Sequence, residues 1–164
     1  MLEEDGYTIK DFSEEYVPGD DYPGYAKQVA RAIQKDKDAL GLLVCGTGHG
    51  MEMAADRFKK VRAFVARTVR DASLGRQHNH ANIIVLGGRI TKTPEAKKIV
   101  RAFLNARPSR AVRHVQRVTQ IDQPCRKSTF PPFSLKPPRT RRRNSSYAAG
   151  LSPGFSSMSW TASS

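Results

Sequence analysis

A chain of 164 residues with 38% hydrophobic and 8% aromatic residues has material for one modest core, with sequence left over for a further segment. No apolar stretch approaches the roughly 20 residues that a membrane-spanning helix needs, and two cysteines, Cys45 and Cys125, are too few for a disulfide-stapled scaffold. The formal net charge of +13 admits a polyanionic partner, but seven Lys or Arg against one acid lie from Asp122 onward, so nearly half the excess sits in the last quarter of the chain.

In chain order, Met1–Asp5 is acidic and lacks the basic start and apolar middle of a signal peptide. Tyr7 to Phe12 is a short β-prone run. Tyr22 to Lys35 carries Tyr25, Ala26, Val29, Ala30 and Ile33 at the 3.6-residue period of an amphipathic helix. Leu40 to Cys45 is a continuous apolar run, the pattern of a strand buried on both faces. A helix is expected over Met51 to Lys59, a strand over Val61 to Ala66, a helix over Val69 to His78, and a strand over Asn82 to Leu86 closed by Gly87-Gly88. Thr93 to Leu104 reads as a helix with Thr93 as N-cap and Pro94 in its first turn. Ser109 to Gln120 reads as the last helix. Strands alternating with helices imply a parallel sheet covered on both faces, with ligands at the C-terminal ends of its strands. Residues 122–164 are rich in Pro, Ser and Arg and read as a basic disordered tail, separate from a folded domain over 1–121.

The segment Cys45-Gly46-Thr47-Gly48-His49-Gly50 joins an expected strand to an expected helix. A glycine-rich turn at that place exposes backbone N–H groups to an anion, and a thiol at its first position lies in a field that favours the thiolate. It is not a phosphate-binding loop of the Gly-Lys-Ser/Thr type, nor the dinucleotide fingerprint, since its glycines fall at 46, 48 and 50. By spacing alone it is either a generic tight turn or an anion site, and Cys45 is either an inert buried cysteine or a base. A second cluster, Arg76 to Asn82, contains His78 and Asn79; these read either as exposed residues at a helix end or as sugar contacts with His78 moving a proton. His78 and His80 have no carboxylate or cysteine cluster to complete a metal site. Arg113 and Arg117 share a helical face, which is either a solvated basic face or a clamp for a phosphate dianion.

Together and in this order these pieces resemble the ribose-5-phosphate isomerase B family, which includes the galactose-6-phosphate isomerase subunits. The resemblance runs over about residues 1–121. It rests on Asp21-Tyr22-Pro23 with Tyr25-Ala26, Cys45 to Met51, Ala54-Ala55, Val61-Arg62-Ala63, His78-Asn79 with Ala81-Asn82, Leu86-Gly87 with Arg89, and Arg113-His114 with Arg117-Val118. It implies a Rossmann-like three-layer α/β sandwich and the isomerisation of a sugar phosphate, most directly ribose 5-phosphate to ribulose 5-phosphate. Cys45 matches the base, Gly46, Gly48, His49 and Gly50 the loop whose N–H groups hold the enediolate, and Thr47 a hydroxyl added to that site. His78 matches the residue that opens the furanose ring, Asn79, Arg89 and Tyr22 match substrate contacts, and Arg113 and Arg117 match the phosphate clamp. The resemblance implies no metal and no cofactor, and a homodimer with active sites at the subunit interface.

The chain also departs from that pattern. Family members begin with a central strand ending in an Asp-His pair and then a helix, and this sequence starts at the end of that helix, so the sheet is expected without its first strand. Arg67-Thr68 stand where a His-Asp pair is common, His49 occupies a usually small or apolar position, and Ser109-Arg110-Ala111-Val112 replaces a glycine-containing approach to Arg113-His114. An impaired chain that works only with a partner subunit is therefore an alternative reading. The Arg-rich tail raises nucleic-acid binding as a third, which the lack of regularly interleaved aromatics disfavours. A cytoplasmic location is expected from the paucity of cysteines.

Overall fold

The computed structural model describes residues 2–13 and 21–123, so the tail expected over 122–164 lies almost wholly outside the described residues. The elements are α1 (Tyr22–Lys35), β1 (Gly41–Cys45), α2 (His49–Ala55), β2 (Ala63–Val65), α3 (Val69–Asn79), β3 (Ile83–Gly87), α4 (Thr93–Asn105) and α5 (Val112–Asp122). The three strands are parallel in the order β1-β3-β2. Gly41 pairs with Ile83 and Cys45 with Gly87, while Ala63 pairs with Ile83 and Val65 with Val85.

The central strand is the apolar run Ile83-Ile84-Val85-Leu86, buried throughout. Successive side chains of a strand point to opposite faces, and here each face meets its own helices. Ile83 and Val85 join Leu43, Met51, Ala55 and the α1 stripe Ala26, Val29, Ala30 and Ile33. Ile84 and Leu86 join Ala72, Ile99, Val100 and Phe103 on the other side. The result is the expected three-layer α/β arrangement. The α1 stripe forms a helix because its apolar positions recur on one face and Pro23 occupies the first turn, where its missing N–H costs nothing.

Five local expectations are corrected. The helix expected over Met51 to Lys59 runs instead over His49–Ala55. Tyr7 to Phe12 forms no strand: Tyr7 and Ile9 are exposed, and only Phe12 packs against the first core. β-Propensity measures fit to a pleated surface beside a partner strand, and these residues have none among the described residues. β1 is not buried on both faces, because Leu42 is 39% and Val44 52% exposed while Leu43 is buried. No described helix covers that second face at β1, which lies at the edge of the described sheet. Thr93 is the first residue of α4 rather than its cap, which is Lys92. Finally, α5 begins at Val112 rather than Ser109. The Ser109 N–H donates to the Gln77 carbonyl and its Oγ accepts from the Ala111 N–H, so 109–111 is committed to the connection.

Phe103 is fully buried and its ring lies 6.1 Å from that of Phe64. Phe103→Ala should lower unfolding free energy by about 3–5 kcal/mol, read from the midpoint of a urea titration. Val44→Thr, on the uncovered face, should change it by less than about 0.5 kcal/mol.

Candidate active site

The level ending of β1 and β3 builds the first half of the site. Beyond Cys45 and Gly87 the two chains turn together: the Gly88 N–H donates to the Cys45 carbonyl at 2.7 Å and the Arg89 N–H to the Gly46 carbonyl at 3.0 Å. The Arg89 guanidinium then lies over Gly46. Gly48 caps α2 with φ of 89°, a backbone region that side chains other than glycine's rarely enter, and a Cβ there would sit 2.9 Å from Val65. This bend brings the Gly48 N–H round to donate to Cys45 Sγ at 3.3 Å. The sulfur is partly exposed and unpaired. α2 has only seven residues, so local N–H groups of its first turn, rather than a summed dipole, supply the positive charge. α1 runs antiparallel to the strands and delivers Tyr22 to the same end, its ring against Gly50, where any Cβ would collide with it. Tyr22, Cys45, Gly46, Thr47, Gly48, His49, Gly50 and Arg89 therefore converge at the C-terminal ends of the strands.

Two of the departures from the family pattern meet there. His49 Nε2 lies 3.4 Å from Arg67 Nη2, and His49 Nδ1 lies 3.6 Å from the Glu52 carboxylate, whose other oxygen accepts from the Val65 N–H. Thr68 has a structural task. It caps α3 by accepting from the Asp71 N–H at 3.0 Å, and Asp71 accepts from the Thr68 N–H in return.

The other predicted residues lie at the opposite end. α3 connects two parallel strands, so it runs back along the sheet and places His78 and Asn79, both exposed, at the N-terminal edge. α5 lies beside them. The His114 ring stacks on His78 with centroids 4.2 Å apart, and Arg113 Nε–H donates to His114 Nε2 at 3.2 Å. Arg113 and Arg117 are exposed on α5 while His114 is 5% exposed. Burial, then the neighbouring His78, Arg113, Arg117 and His80, push the His114 imidazole below the ordinary histidine value. Arg62 holds this end together. Its Nε–H donates to the His80 carbonyl at 3.1 Å and its Nη1 pairs with Asp122 at 2.9 Å, while its backbone N–H donates to Asn82 Oδ1 at 2.8 Å. His80, in left-handed conformation at the end of α3, reaches the Ser109 carbonyl with Nε2 at 2.9 Å.

Sequence reasoning assigned no role to Arg62, Asn82, Asp122 or His114. For His114 a signal existed: it precedes Val118 by one helical repeat, which puts it on the buried face of α5. For Arg62 the pattern gave no signal, because the partners through which its side chain ties this end together, His80 and Asp122, are 18 and 60 residues away in sequence.

The predicted residues thus form two groups at opposite ends of one sheet. The five residues of β3 separate them, roughly 13 Å of strand before the flanking turns are added. Among the described residues no three His, Cys, Asp or Glu side chains are placed to hold a metal ion, and no helix is long and apolar enough to cross a membrane.

A Rossmann-like α/β sheet with an amide-lined turn and a free thiol at its carboxyl edge has the form of a small-molecule site in this class of fold. The ribose/galactose isomerase family model matches residues 1–121, and the chain belongs to that family. It is 44% identical over 101 residues to ribose-5-phosphate isomerase B of Escherichia coli (strain K12), covering 62% of this chain and 67% of that protein. Among solved structures it is similar to a ribose 5-phosphate isomerase from Thermotoga maritima, with TM-score 0.69, 39% identity, and coverage of 74% of this chain and 83% of the other. It is similar also to ribose-5-phosphate isomerase B from Mycoplasma genitalium with bound ribulose-5-phosphate, with TM-score 0.69, 37% identity, and coverage of 74% and 80%.

The buried His114 makes a pH prediction. Its imidazole is held below 6.5 in the folded chain, so below that pH the unfolded chain takes up a proton that the folded chain refuses. Stability is expected to fall as pH drops from 7 through the depressed value. His114→Phe should flatten this dependence in urea titrations between those limits, and an unchanged slope would refute the assignment.

Proposed function

We propose that this chain interconverts ribose 5-phosphate and ribulose 5-phosphate through an enediolate, with Cys45 as the base. The observation that carries the reading is the Cys45–Gly48 geometry: a partly exposed sulfur with a backbone N–H donating to it at 3.3 Å, at the mouth of a glycine turn, in a member of the isomerase family. Moving a carbonyl between neighbouring carbons requires removal of a carbon-bound proton and builds negative charge on oxygen. A thiolate takes the proton from C2, N–H donors of the Gly46–Gly50 turn hold the charge, the O2 hydroxyl proton passes to O1, and the thiol returns its proton to C1. The donors are already in place before the charge forms, so little reorganisation opposes the step. Thr47 adds a hydroxyl to the turn, while Arg89 over Gly46 and Tyr22 over Gly50 bound the sugar.

His78, Asn79, Arg113 and Arg117 serve the same reaction from a second copy of the chain. The separation of the two groups along β3 supports this reading, because a pentose phosphate held at Cys45 does not reach His78 of the same chain. In a symmetric dimer the N-terminal edge of one sheet closes the carboxyl edge of the other. His78 then opens the furanose ring, and the two guanidiniums take the phosphate, whose binding energy orients the reacting carbons. The reading includes a cytoplasmic location, supported by the unpaired thiol at the site.

A second reading, a chain active only beside a partner subunit, is favoured by the uncovered Leu42 and Val44 at the edge strand β1. In it, activity is silent in the chain alone and appears on mixing with another member of the family.

Cys45→Ala should abolish conversion of ribose 5-phosphate, followed by the appearance of ribulose 5-phosphate, and leave the melting temperature within a few degrees. Cys45→Ala and His78→Gln should each be inactive alone. Mixed in equal amounts after dissociation and reassociation, they should regain about a quarter of wild-type activity, because half the dimers are mixed and each holds one intact site of two. No recovery from two folded variants, with wild type active, would exclude the shared site.

A further inference from the structure

Among the described residues His114 is the buried polar side chain, and it touches two groups of the proposed site at once. We infer that His114 is a positioning residue: one face of its ring holds the His78 imidazole and its Nε2 holds the Arg113 guanidinium, setting the proton-handling and phosphate-holding groups at one separation. The inference rests on the isomerase reading of His78 and Arg113.

The chemistry of the ring supports it. An imidazole that accepts from Arg113 through Nε2 is neutral, with its proton on Nδ1. That Nδ1 is buried and has no hydrogen-bond partner among the described residues. A phenylalanine or leucine in this place would fill the space without an orphaned donor, so the polar ring is poorly explained by folding alone. The groups facing it are His78 and His80 from the end of α3 and Arg113 and Arg117 from its own helix. All are basic, and together with burial they oppose a charge on His114, which keeps its lone pair available to Arg113.

The benefit lies in the substrate's covalent geometry. In ribose 5-phosphate the ring oxygen and the phosphate are joined through C4 and C5, so their separation varies little. A fixed spacing between His78 and Arg113 matches that length and aligns the ring oxygen for proton transfer once the phosphate is held. Supporting residues that lock such a pair control how precisely it is presented.

Two substitutions in the full chain separate the two contacts. His114→Phe keeps a ring against His78 and removes the acceptor for Arg113. His114→Gln keeps an acceptor near the Nε2 position and removes the ring. The Phe variant should raise KM for ribose 5-phosphate about tenfold with kcat within about twofold, and the Gln variant should lower kcat about tenfold with KM within about twofold. A residue that merely supported folding would move both variants together through the amount of folded protein. Wild-type kinetics in both, or parallel loss in both, overturns the inference. NMR spectra of the unliganded chain give a readout that needs no turnover. Ring-current-shifted His78 protons should persist in the Phe variant and vanish in the Gln variant, and the slowly exchanging Arg113 Nε–H should do the reverse. If those signals separate in a chain that converts no ribose 5-phosphate, the isomerase reading fails, and only the hold of His114 on His78 and Arg113 stands. If turnover is normal and neither signal responds, the positioning role fails and the isomerase reading stands.

Discussion

Parallel pairing on both sides of Ile83–Gly87 is the constraint on which the placement of both groups of candidate residues depends. A parallel neighbour can be reached only by returning along the sheet, so every helix between strands runs opposite to them. That return carries α3 away from β2 with His78 and Asn79 at the far edge, while α1, which precedes β1, has Tyr22 against Gly50 at the carboxyl edge. The equal ending of β1 and β3 then lets the turns after Cys45 and Gly87 bond across to each other. The thiol, the amides and Arg89 are held by backbone, whereas the basic end is held by side chains around Arg62 and His114.

This difference in how the two ends are built bears on their chemistry. A backbone-built turn has few degrees of freedom, which suits donors that must face a charge as it forms. The Gly48 bend, with positive φ and Val65 packed against it, leaves no room for adjustment. The basic end is a chain of contacts from Asp122 through Arg62 to His80 and Ser109, and from His78 through His114 to Arg113. Such an array orients long side chains that would otherwise be free, at some cost in burying polar atoms.

The departures from the family pattern become intelligible in contact. His49 and Arg67, 18 residues apart, lie against each other at the mouth of the turn, and Glu52 anchors the histidine. They act as one substitution of the local environment. Thr68 has a helix-start function, its hydroxyl accepting from the Asp71 N–H. The β-prone run Tyr7 to Phe12 shows the converse: residues suited to a strand stay unpaired where no neighbour is offered.

Much was legible in the residues themselves. The α1 stripe and the apolar runs over Leu40 to Cys45 and Asn82 to Leu86 are determined locally, by periodicity and apolar character, and the observed elements fall within one residue of them, while the glycine turn after Cys45 is shorter than its pattern, α2 beginning at His49. A candidate site could be named from the sequence as well, through Cys45, His78, Arg113 and Arg117. Its geometry was decided only in three dimensions. Sequence order does not say which end of a sheet a residue reaches; the direction of each element and the parallel register do. They set Cys45 and His78 at opposite edges, left one face of β1 uncovered, and buried His114 against His78 and Arg113.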